Sequence, residues 1–131
     1  MPLAYRIDPD AGIVTITGDY AEPSEWKVLL GTIVRDPGYR PGFSFIRDLR
    51  KAAHPVSAEA VRSIIALVRE YWPVLGAWRA AVVTGRRAED LAFIAHALAE
   101  DQGLPLRAFT TYEEAVAWVR RPAGAASPPS P

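Results

Sequence analysis

Residues 79–84 read RAAVVT, and this stretch settles the class of fold. Ala80, Ala81, Val82 and Val83 are apolar at four consecutive positions, so a strand built from them has no wet face. Such a strand belongs in the middle of a sheet. Immediately upstream, Val61, Ile64, Ile65, Val68, Tyr71, Trp72 and Leu75 recur at helical spacing behind Ser57. Pro73 predicts that this helix ends or kinks near Tyr71–Trp72. Further upstream, Phe43–Leu49 reads as a strand opened by the apolar run Phe43–Ile46. A helix, a strand on each side of it and a long connection together predict parallel pairing.

The remainder of the chain continues the alternation. Leu3, Tyr5 and Ile7 alternate with polar neighbours, and Gly12–Thr17 is rich in β-branched residues. The turn Asp8–Pro9–Asp10–Ala11–Gly12 between them predicts an antiparallel hairpin. Pro23 suits a first helical turn, and Trp26, Leu29, Leu30, Ile33 and Val34 mark one face of the helix behind it. Residues 36–42 read as loop. After the central strand, Leu91, Ile94, Ala95 and Leu98 form the stripe of a helix over 86–102, with Gly103 as its terminator. A strand over 104–109 follows. Thr111 and Glu114 then fit a capping box for a last helix that buries Tyr112, Ala115, Val116 and Val119. The order is β-β-α-β-α-β-α-β-α, an α/β fold with a mostly parallel sheet and an antiparallel edge strand. Residues 1–121 make one domain, and PAGAASPPSP, residues 122–131, is a Pro/Ala/Ser tail expected to be disordered.

The 131 residues carry 15 basic and 15 acidic side chains, and this zero net charge argues against nucleic-acid binding. Half of the residues are hydrophobic, enough for a sizeable core. The chain has no cysteine, which excludes disulfides and thiolate chemistry. Asp8 interrupts the N-terminal stretch as a signal peptide, and no run approaches the roughly 20 apolar residues of a membrane helix. A cytoplasmic location without membrane insertion is the expectation.

Four segments carry a family resemblance: GIVTITGDY, FSFIRDLRKA, WRAAVVTG and LRAFTTYEEAVAWV. Over residues 3–120 the chain resembles the SpoIIAA-like group, relatives of STAS domains and of CRAL-TRIO lipid-binding domains. The resemblance implies a right-handed β/α superhelix with helices mainly on one side of the sheet. It also implies a regulatory or binding module that works through protein–protein contacts and is not an enzyme. A carrier or sensor of a small apolar or anionic ligand is the alternative.

Residues 47–63, RDLRKAAHPVSAEAVRS, concentrate the candidate site. Carboxyl ends of parallel strands are where α/β proteins bind ligands. Asp48, Arg50, Lys51, His54 and Ser57 should lie there, joined by Thr84, Arg86 and Arg87 after the central strand. Arg86 and Arg87 at a helix start suit an anion; the plain alternative is that these cations solvate loops while Asp48 pairs with Arg50 or Arg86. In STAS regulators a serine at the place of Ser57 is phosphorylated. Here Val56 precedes Ser57 and Glu59 follows, so the simpler reading is a helix cap.

His54 with Asp48 has the composition of a base and its orienting carboxylate, but no nucleophile elbow accompanies them. No catalytic residue, metal site or cofactor is assigned. Trp72 and Trp78, flanking Pro73 and Gly76, are candidates to line an apolar pocket. If helices cover one sheet face, Ala81 and Val83 leave the other apolar, which predicts that a second chain or the tail packs there and favours a homodimer.

Overall fold

The structure is a computed structural model that describes residues 3–18, 22–51, 58–84, 103 and 105–120. These form five strands, β1 (Ala4–Asp8), β2 (Ile13–Thr17), β3 (Ser44–Leu49), β4 (Ala80–Thr84) and β5 (Leu106–Phe109). Three helices accompany them, α1 (Pro23–Arg35), α2 (Ala58–Leu75) and α3 (Tyr112–Val119). The helix expected over 86–102 and the tail 122–131 lie outside the described residues. The strands stand side by side in the order β1-β2-β3-β4-β5. β1 and β2 are antiparallel, and each later strand is parallel to the one before it.

The hairpin between β1 and β2 follows from its turn residues. Asp8 Oδ1 accepts the Ala11 N–H at 3.1 Å, and the Asp8 carbonyl accepts the Gly12 N–H at 2.9 Å. Gly12 closes the turn at φ +69°, a conformation that favours glycine.

Strand alternation sorts the core into two halves. Val14, Ile16, Phe45 and Ala80 point to one face and pack with Trp26, Leu30 and Ile33 of α1, Leu75 of α2, and Tyr39 of the α1–β3 loop. Ile13, Ile46, Ala81 and Val83 point to the other and pack with Ala115 and Val119 of α3. Crossovers that step one strand at a time in one direction place their helices on the same face, which is why α1 and α2 share theirs. α3 follows the last strand, is bound by no such rule, and folds back over the second face. That face is therefore covered by the chain's own last helix. The expectation that another chain or the tail covers Ala81 and Val83 is corrected, and the argument it gave for a homodimer goes with it.

Two polar contacts hold α3 down. Ser44 Oγ donates to the Val119 carbonyl at 2.7 Å, and Arg79 donates to the Trp118 carbonyl at 2.7 Å. Both satisfy carbonyls that the last turn of a helix leaves without an internal partner. At the other end of α3, Thr111 accepts the Glu114 N–H at 3.2 Å as the N-cap. The Glu114 carboxylate meets the Thr111 hydroxyl at 2.9 Å, so the pair bonds side chain to side chain where a full box would reach back to the backbone. The reciprocal box occurs instead at α1, between Glu22 and Glu25.

α2 does not end at Tyr71–Trp72, one of the two outcomes, an end or a kink, that Pro73 predicts. It continues to Leu75. Pro73 falls in the last turn, so the hydrogen bond it removes is one of the last in the ladder. The Gly76 N–H still reaches the Trp72 carbonyl at 2.9 Å, and Gly76 at φ +56° terminates the helix.

Candidate functional site

The candidate site is built where β3 runs out. Successive residues of a strand face opposite ways, and this separates Arg47 from Asp48. Arg47 turns to the first face, places its guanidinium 5.3 Å from the Trp26 ring, and donates to the carbonyls of Ile16 and Gly18 at 3.3 and 3.1 Å. Asp48 turns to the second face. Its Oδ1 accepts the Arg50 backbone N–H at 3.1 Å and the Arg50 Nε–H at 2.9 Å, while Oδ2 accepts the second guanidinium nitrogen at 2.7 Å. A short acid bonding the backbone two residues on makes the turn. The guanidinium fork then closes on the same carboxylate in the two-point geometry that arginine favours. Hydrogen bonding from Arg50 holds the Asp48 carboxyl below its ordinary range, with the Arg6 charge adding to the effect. The Asp48 side chain keeps only 12% of its surface exposed, against 44% for Arg50, so the buried acid anchors an exposed cation.

Three residues that the sequence analysis does not assign to the site complete the group. The Tyr112 hydroxyl lies 2.9 Å from Thr15 Oγ1 and accepts from Arg6 at 3.3 Å. The guanidinium of Arg50 stands 5.0 Å from the centre of the Tyr112 ring, and that of Arg6 5.9 Å. A phenol ring flanked by two cations gains electrostatically from both. Arg6 and Thr15 are register partners across the hairpin, so period-two alternation alone places them side by side. That α3 would bring Tyr112 onto them depends on which face the helix takes, and no local pattern decides it.

A second arrangement of cations and rings lies toward the far end of α3. Arg79 stands 5.2 Å from the Trp78 ring and 4.8 Å from the Trp118 ring, and Arg107 stands 5.1 Å from Trp118. Phe109 leans on Trp118 with ring centres 5.7 Å apart. The two tryptophans expected to share a pocket are thus drawn into different surroundings. Trp72 packs against the first half of the core, and Trp78 joins the arginine stack.

Of the predicted site residues, the structure brings together Asp48 and Arg50, with Lys51 exposed beside them. Thr84 ends β4 opposite Leu49 of β3. His54, Ser57, Arg86 and Arg87 lie outside the described residues. With three donors from Arg50 on its two oxygens, the Asp48 carboxylate serves as an anchor. Among the described residues, no three of His, Cys, Asp and Glu group as metal ligands would, and no described helix is long and apolar enough to cross a membrane. Comparison with family models, with curated proteins and with solved structures finds no match for this chain.

Proposed function

We propose that the chain is a non-catalytic binding module of STAS-like type that meets a protein partner through the carboxyl-end edge of its sheet. The reading is supported by the α/β architecture, in which a mostly parallel sheet carries an antiparallel edge pair and α1 and α2 share one face. The observation that carries it is the fate of Asp48. The acid that would orient a catalytic base is spent on Arg50, and the result is a fixed, exposed guanidinium beside the exposed Lys51. A fixed cation on a polar edge, with a lysine beside it, suits an acidic surface of a partner, where such charges steer encounter and fix register. On the two faces of the sheet Leu30, Ile33, Ile46, Leu75, Val14, Val83 and Val119 are all but fully buried.

The test is native mass spectrometry of the full chain purified gently from its own host, beside an Arg50→Glu/Lys51→Glu variant that stays folded. A bound protein lost on charge reversal supports the reading. A retained molecule of a few hundred daltons with no bound protein sinks it in favour of the carrier. One phosphate mapped to Ser57 turns the module into a switch.

A further inference from the structure

β1 is the terminal strand of the sheet, and among the described residues nothing pairs with its outer edge. Only β2 pairs with it, and among the described residues no other backbone group bonds to it except Gly12, whose N–H closes the turn on the Asp8 carbonyl at 2.9 Å. That one bond fixes the polarity of the edge. The Asp8 carbonyl faces β2, and in an antiparallel ladder the main-chain groups of alternate residues face the same way. Arg6 and Ala4 therefore also bond inward, and the N–H and C=O groups of Tyr5 and Ile7 point out to the open side.

An open row of donors and acceptors is a template for another strand. We propose that it is filled by β1 of a second copy of this chain, antiparallel and centred on Ile7, so that two sheets join into one. The choice of occupant and register comes from charge. A two-fold axis through such a pair runs perpendicular to the sheet, keeps like faces together, and matches odd residues with odd and even with even. Centring on Tyr5 sets Ala4 against Arg6. Centring on Arg6 brings two like guanidinium groups together. Centring on Ile7 sets Arg6 against Asp8 of the second copy, and by symmetry does so twice.

The same register leaves Tyr5 opposite Pro9 of the second copy, a turn residue without an N–H, and concentrates the backbone bonds at Ile7. Ile7 carries outward groups, so the two Ile7 residues exchange both N–H···O bonds. Arg6 and Asp8 then fall in the flanking non-hydrogen-bonded pairs, where opposed side chains come closest. Arg6 and Asp8 are exposed, and the turn holds the Asp8 carboxylate in place through its bond from the Ala11 N–H. On the opposite face Ile7, half-buried against the first half of the core, meets Ile7 of the second copy. The proposal shares Arg6 with the group at the end of β3, where it donates to the Tyr112 hydroxyl at 3.3 Å, so the Asp8→Arg variant, which does not touch that group, separates it from the partner reading.

Sedimentation equilibrium of the full chain, from micromolar to several hundred micromolar, tests it. We expect a monomer–dimer equilibrium that Arg6→Asp and Asp8→Arg each weaken about tenfold or more, because each sets like charges opposite one another in both pairs. The double swap Arg6→Asp/Asp8→Arg should restore association. Amide exchange on the native protein gives a readout that needs no variant. On going from dilute to concentrated protein, protection should rise at Ile7 and stay level at Arg6 and Asp8. A chain monomeric throughout, a dimer indifferent to both reversals, or protection that rises elsewhere would overturn the proposal.

Discussion

Tyr39 shows how much one side chain can settle. It sits between α1 and β3, buried among Phe43 and Phe45, and donates its hydroxyl to the Leu75 carbonyl at the end of α2. One hydrogen bond thus ties a loop to the terminus of a distant helix. Burial pushes the phenol up to about 12 from its ordinary 10.0. The neutral form is the one that folds, so the stability linked to this group is complete below about pH 10 and drains away as pH rises through about 12. Tyr39→Phe should lose about 1 kcal/mol at neutral pH and should flatten the alkaline limb of the urea midpoint plotted against pH. An unchanged alkaline limb would place the linkage elsewhere. Asp48 teaches the complementary lesson. Its position at the end of β3 was legible from the apolar run that precedes it. Its partner was narrowed to Arg50 or Arg86, and the structure pairs it with Arg50, two residues on, where a turn makes the contact.

Among the elements, α2 best separates what periodicity reveals from what it hides. Its apolar spacing runs to Leu75, and the helix does too. Pro73 drew attention to itself as a breaker because a proline in mid-helix costs about 3 kcal/mol. In the final turn much less depends on the bond it removes. The terminator that acts is Gly76, three residues later, which the sequence offered only as part of a loop. A Cβ at Gly76 would come 3.2 Å from Cβ of Pro41, in a backbone conformation that side chains already resist. Gly76→Ala should therefore cost about 1 kcal/mol or more, read as a lower denaturant midpoint with an unchanged slope.

At the scale of the whole molecule, the alternation of strands and helices specified the class of fold, and the hairpin signal specified its antiparallel edge. What no pattern specified was the face taken by α3. A helix of eight residues with an apolar stripe would pack equally well by composition on either side. The choice follows from a vacancy that exists only after β2, β3 and β4 have assembled and α1 and α2 have occupied the first face. For the same reason Arg6, Thr15 and Tyr112 escaped notice as a group: they converge only once α3 is seated. A chain ending at residue 110 should expose Ile13, Ile46, Ala81 and Val83, bind a hydrophobic dye and associate at concentrations where the full chain does not. A truncated chain as soluble and dye-free as the parent would show that α3 is not the main cover of that face.

The strand order has a consequence for how the protein is made. Each strand in the series β1-β2-β3-β4-β5 lies beside the one synthesised just before it. No strand has to be inserted between two that already hold each other, and none must wait for a distant segment to leave the ribosome. Sheets that depend on late, long-range insertions fold slowly and leave edges exposed meanwhile. This one can be laid down in the order of translation, with its first face covered early and its second closed later by α3.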